Sequence, residues 1–221
     1  VVLNQAPINV AKEHYKNKIT PKTKLLLGPK YAIIDDSYLS VRKNIRPRKG
    51  KINRILVFYG GVDKTNETAK ALNAIKKLDL PGIFIDVVIG ESNIHRDVIV
   101  NEVDGMSKTK LHIQLPTLAQ LVGAADLALS SGGGSTWERI YLGLPSIVTT
   151  VSDNQVSIPY LDEHGYLFWI GDAKNVSQKI VENKISELIQ NPSLLANQSL
   201  RCIKFLDGKG INRIIKTLKQ Y

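Results

Sequence analysis

The chain has 221 residues, enough for one well-buried core and an appendage, since domains commonly run to about 100–150 residues. Its single cysteine, Cys202, excludes an internal disulfide. No apolar run approaches the ~18 residues of a membrane span and no signal-peptide pattern opens the chain, so it reads as soluble and cytoplasmic.

The net charge of +10 is unevenly placed: Val1–Arg54 holds 13 Lys/Arg against 3 Asp/Glu, and the remainder balances at 17 of each. Val1–Gln5 reads as a buried strand with nothing before it to cover it, the pattern of a chain cut inside a domain. Polar residues follow, then apolar Leu25–Pro29 and a basic stretch ending in Pro47 and Gly50, together read as a linker with some helix. The densest cations, Arg42 to Arg54, suit anionic lipid headgroups in a peripheral membrane contact, or simply a solvated linker. No aromatic residues interleave them to stack bases, so nucleic acid is not an expected partner.

From Ile52 the pattern alternates. Strands are expected at Arg54–Tyr59, Ile83–Ile89, Leu111–Gln114, Ala125–Leu129, Ser146–Val151 and Tyr166–Ile170. Helices are expected at 65–78, 93–103, from Pro116 to about Ala124, and at 135–142, 155–164 and 176–190. The stretch from Leu194 onward is interrupted by Asp207-Gly208-Lys209-Gly210. Apolar strands with little alternation, separated by helices, predict a doubly wound, Rossmann-like parallel α/β sheet covered on both faces.

In such a sheet the ligand crevice lies beyond the carboxyl ends of the strands. Four segments stand there. Ser130 to Glu138 is the most telling: a strand, then Gly132-Gly133-Gly134, then Ser135 and Thr136 opening a helix, a turn whose free N–H groups and helix dipole suit phosphate. Glu138, one turn inside that helix, is placed to accept hydrogen bonds from a ribose. Gly60-Gly61-Val62-Asp63 forms a second candidate cradle. Gln114-Leu115-Pro116-Thr117 offers extended backbone to a base edge, and Ser152-Asp153-Asn154-Gln155 offers short polar groups at a helix start. Each has a structural explanation too: a tight turn, an acid complementing the dipole, an N-cap. Together they encircle one crevice that a nucleoside diphosphate-sugar would fill.

Other chemistries are disfavoured. The dinucleotide fingerprint is missing after the first domain strand, so no nicotinamide cofactor is expected. His14, His95, His112 and His164 are scattered without metal-ligand spacing, and Ser131 and Ser135 do not sit in a hydrolase elbow.

The run from Asp126 to Gln155 carries Ser-Ser-Gly-Gly-Gly-Ser-Thr-Trp-Glu, Leu142-Gly143-Leu144-Pro145-Ser146 and Asp153-Asn154-Gln155. With Leu27–Tyr31, Gly60–Asp63 and Asp207–Gly210 in the same order, it resembles the C-terminal half of the nucleotide-sugar hydrolases of pseudaminic acid synthesis, close to the spore-coat polysaccharide protein group. Those hydrolases release UDP from a diacetamido-trideoxy sugar. The resemblance implies the two-domain glycosyltransferase-B architecture, with residues 1–50 closing an N-terminal domain and 51–221 forming the UDP-binding domain. It also implies Gly60, Gly61 and Gly132 to Thr136 at the diphosphate and Glu138 at the ribose. Main chain from Ile113 to Leu115 would hold the uracil, and Asn154 with Gln155 the sugar, Asn154 having the catalytic role. Two departures stand out: Val62 replaces the family's usual serine, and the glycine-rich loop with the catalytic histidine has no counterpart in these residues. The expectation is a chain that binds a UDP-sugar and, without that segment, turns over little. A glycosyltransferase and a non-catalytic nucleotide-sugar binding subunit are the other readings.

Overall fold

The structure, a computed structural model, describes residues 1–220. A small parallel sheet pairs β1 (Val2–Asn4) with β2 (Leu25–Leu27), connected through α1 (Ile8–Tyr15). Leu25–Leu27 is thus a strand rather than linker: Leu26 and Leu27 are buried, and three residues between Lys24 and Gly28 are too few to show a strand period. A helical turn at Pro29–Tyr31 leads to α2 (Asp36–Arg42), whose N-cap Asp35 accepts the Ser37 N–H at 2.9 Å.

The main sheet has six parallel strands: β3 (Arg54–Phe58), β4 (Phe84–Ile89), β5 (Thr109–Ile113), β6 (Leu127–Ser131), β7 (Ser146–Thr150) and β8 (Phe168–Asp172). Their order, β5-β4-β3-β6-β7-β8, reverses direction between β3 and β6. This is the doubly wound arrangement expected from the sequence, and ligands bind such sheets at that switch point.

Between and after the strands come α3 (Glu67–Leu78), α4 (Arg96–Asp104), α5 (Ala119–Ala124), α6 (Ser135–Tyr141), α7 (Ile158–Glu163), α8 (Gln178–Gln190), α9 (Pro192–Phe205) and α10 (Gly210–Leu218). Alternate side chains of β3 explain the two layers. Ile55 and Val57 pack with Leu72 and Ile75 of α3, Ile99 of α4 and Ile185 of α8, whereas Leu56 packs with Val122 of α5, Ile140 of α6 and Leu161 of α7. Leu72 is completely buried, so Leu72→Ala is expected to cost about 2–5 kcal/mol in denaturant unfolding.

Five helices begin two or three residues later than the sequence expectation, at Glu67, Arg96, Ala119, Ile158 and Gln178. Pro116 precedes α5 instead of opening it: Leu118 is the N-cap residue, and just before it Thr117 Oγ1 accepts the Ala119 N–H at 3.2 Å. Residues 152–157 are turns, and α7 begins at Ile158 with Pro159 in its first turn, where a missing N–H is harmless.

The basic segment is partly structural. Arg42 donates to the Ile203 carbonyl at 3.2 Å, Arg54 pairs with buried Asp86 at 2.6 Å, and Arg48 is enclosed by backbone carbonyls of α5 and the end of α6. Lys43, Arg46, Lys49 and Lys51 remain exposed. No helix among the described residues is long and apolar enough to cross a membrane. Cys202 is buried against the Tyr166 carbonyl, and burial pushes its thiol up to about 12, which removes thiolate chemistry near neutral pH.

Candidate functional site

The carboxyl ends of all six parallel strands share one edge of the sheet, and an open cleft of about 840 Å³ lies there between that edge and the β1–α1 unit. The size suits a nucleotide-scale ligand. Gly132, Gly133, Gly134, Thr136, Glu138, Asn154 and Gln155 line one wall, and Asn4, Ala11 and His14 are among those lining the other.

The glycine turn follows β6 directly and no side chain caps α6. Gly132 is dictated by packing: a Cβ there would stand 2.5 Å from Ile158 Cγ1 and 2.9 Å from Gln155 Oε1. Gly134 faces open space and Gly133 nearly so, leaving their backbone approachable by a ligand. Gln155 closes the opposing loop, its Oε1 accepting the Val151 N–H at 2.9 Å, so its amide NH₂ is the group left for a ligand. Asn154 is exposed at the mouth.

Glu138 is half-buried in the cleft wall. Burial raises its pKa above the ordinary glutamate value; a hydrogen bond from Tyr38 and the charge of Arg139 pull it back, and Asp35 adds a small rise. A carboxylate so desolvated is a strong acceptor for neutral hydroxyl donors.

Arg139 is 2 % exposed, a residue that sequence reading had no reason to choose. Its guanidinium donates to Ser135 Oγ at 2.8 Å, the Ser131 carbonyl at 3.0 Å, and Thr136 Oγ1 and Ser146 Oγ at 3.1 Å each. Burial lowers its pKa to about 10, with Glu138 opposing, so it remains charged at neutral pH. Ser135 is therefore held under the turn by Arg139, and it does not line the cleft.

Gly60, Gly61, Ile113 and Leu115 stand at the same sheet edge but outside the cleft wall. At the Gly60–Gly61 turn, Asp63 already accepts the Glu67 and Thr68 N–H groups at 3.0 and 2.9 Å, so the start of α3 carries its own acid. Gly61 is stitched to the neighbouring loop: the Gly90 N–H donates to its carbonyl at 3.1 Å, and a Cβ on Gly90 would lie 2.6 Å from that oxygen. Beyond β5 the backbone is not extended, since Gln114 is left-handed at φ 53° and its side chain accepts the Glu91 N–H at 3.3 Å. His14 is the histidine that the fold brings to the cleft, from the exposed side of α1; His95, His112 and His164 do not line it. Among the described residues no cluster of His, Cys, Asp or Glu has metal-site geometry.

No protein-family model matches the chain. It is 25% identical over 199 residues to the spore coat polysaccharide biosynthesis protein SpsG of Bacillus subtilis, covering 89% of this chain and 58% of that protein. It is 28% identical over 173 residues to the UDP-N-acetylglucosamine–N-acetylmuramyl-(pentapeptide) pyrophosphoryl-undecaprenol N-acetylglucosamine transferase of Rickettsia conorii, covering 72% of this chain and 45% of the transferase. Among solved structures, S. aureus MnaA in complex with UDP superposes with a TM-score of 0.72 at 16% identity, over 99% of this chain and 60% of MnaA. The chain thus spans about half the length of the proteins it matches. The superposition shows a shared Rossmann-like α/β fold of the glycosyltransferase-B type.

Proposed function

We propose that this chain is the UDP-binding half of a nucleotide-sugar hydrolase that releases UDP from a diacetamido-trideoxy sugar in surface-polysaccharide synthesis. The observation that carries the reading is the convergence of the glycine turn, Glu138, Asn154 and Gln155 in one cleft at the switch edge of the sheet. Residues 51–221 hold the nucleotide and residues 1–50 belong to the facing domain. Backbone N–H groups of Gly133 and Gly134 would stabilise the departing diphosphate, a preorganised electrostatic role. Glu138 takes the ribose, Asn154 with Gln155 the sugar, and main chain near Ile113 and Leu115 the uracil. Neither amide titrates in a range useful for general-base catalysis, so the base that activates water is a different group.

Calorimetric titration with UDP, ADP and GDP tests the nucleotide assignment; the expected order puts UDP first by at least about tenfold, the worth of one net hydrogen bond to the base. Equal affinities would remove the uracil contact. The same experiment with UMP tests the second cradle. UDP is expected to bind more tightly, and matched affinities for UMP and UDP would take Gly60 and Gly61 out of the site.

A second reading, a glycosyltransferase with a hydroxyl acceptor in place of water, draws support from the resemblance to the Rickettsia transferase. Product analysis with a UDP-sugar in water separates the two readings. Turnover by the 221-residue chain alone that disappears on His14→Ala would move the base onto α1.

A further inference from the structure

The buried charges of this chain are mostly matched at short range. Glu67 holds Lys70 at 2.8 Å, and Asp86 holds Arg54 at 2.6 Å and His112 at 2.8 Å. Arg139 is different. None of the ion pairs among the described residues includes it, and its four hydrogen-bond partners are a carbonyl and three neutral hydroxyls. A guanidinium taken out of water is costly; the nearby Glu138 carboxylate offsets part of that cost without forming a short ion pair, and the fold holds the charge beneath the turn that borders the cleft.

The hydrogen-bond directions add a second observation. Arginine has donors only, so Thr136 Oγ1 accepts in its bond to Arg139 and keeps its own proton to donate elsewhere. Thr136 is 3 % exposed, lines the cleft and has no other side-chain hydrogen bond among the described residues. Arg139 also fixes the Ser131 carbonyl and Ser135 hydroxyl on either side of the three glycines.

We infer that Arg139 is a positioning residue for a diphosphate in this cleft: it supplies a fixed positive charge from below the Gly132–Gly134 turn and orients the Thr136 hydroxyl proton toward the anion. The inference rests on the nucleotide reading above for the identity of the anion. Arg139 itself does not touch the ligand. A bound diphosphate places an anion within reach of this fixed charge, and binding energy is gained without a flexible cation having to be ordered.

The test is calorimetry of UDP and of inorganic pyrophosphate against the wild-type chain, Arg139→Lys, Arg139→Gln and Thr136→Val, each first checked for a cooperative thermal melt. Arg139→Lys is expected to weaken both ligands about tenfold and Arg139→Gln about a hundredfold, with Thr136→Val near the former. A purely structural role would not move the pH profile. With Arg139→Lys, burial lowers the lysine pKa, so affinity is expected to fall between about pH 7 and about pH 9, whereas the wild-type chain stays flat there. Folded Arg139→Lys with wild-type affinity and a flat profile overturns the role of Arg139 and leaves the nucleotide reading standing. If the Arg139 variants fail to fold, unchanged affinity in Thr136→Val overturns it instead. Wild-type binding of pyrophosphate with none of UDP overturns the nucleotide reading and leaves the role of Arg139 intact.

Discussion

Replacing Arg48 with Met is expected to lower the unfolding free energy by about 3–5 kcal/mol, the upper range for single substitutions, because it strands several buried carbonyls at once. The Arg48 guanidinium donates to the Ala125 carbonyl at 3.1 Å, to Val122 at 2.8 Å, to Gly123 at 3.3 Å and to the Leu142 carbonyl. These carbonyls belong to the last turn of α5 and the end of α6, and each end leaves acceptors that its own helix cannot satisfy. One side chain from the preceding segment therefore closes two helices. Arg48→Lys, with a single compact ammonium, is expected to recover only part of the loss. Urea denaturation reads the effect directly; an unchanged midpoint in Arg48→Met would mean that water already serves those carbonyls.

The second large effect belongs to Glu138. Glu138→Ala is expected to weaken UDP binding by about 1.5–3 kcal/mol, roughly 10- to 150-fold, the range for hydrogen bonds to a charged group. The raised pKa of Glu138 gives two further results of opposite sign. As pH falls through that raised value the carboxylate takes up a proton and loses acceptor capacity, so UDP affinity is expected to decline before the ordinary glutamate value of 4.5 is reached. Stability runs the other way. In that window the folded chain binds more protons than the unfolded one, so this group's contribution to stability improves as pH falls and worsens as pH rises. Glu138→Gln is accordingly expected to raise the melting temperature at neutral pH while weakening UDP. A variant that loses both stability and binding would show the carboxylate to be a structural acceptor.

Much of the architecture was legible because the strands of a two-sided sheet are nearly uniform in apolar character. Ile55 to Val57 and Leu127 to Leu129 announce themselves, and the glycine turn after β6 follows from its position. The strand Leu25–Leu27 was not legible, since its partner Val2–Asn4 lies beyond a helix and a loop and three residues carry no period. Buried Arg139 and part-buried Arg48 were hidden for a different reason. Arginine usually keeps its charge in water, and its burial depends on carbonyls and hydroxyls that only the folded chain brings together, as Ser131, Ser135 and Ser146 converge on Arg139. His14 illustrates the same limit, because its place on the cleft depends on how the β1–α1 unit faces the glycine turn in the fold.

The stitch between Gly61 and Gly90 bears on which sequences this fold tolerates. Any side chain at 90 drives a Cβ into the Gly61 carbonyl, so the turn after β3 would have to move to admit it. A saturating substitution screen should find position 90 as intolerant as the turn it supports, although it bears no functional group. Relief would come from compensating changes at 61 and its neighbours rather than at 90. The two loops would then drift together across generations or not at all, a coupling imposed by the close approach of two backbones.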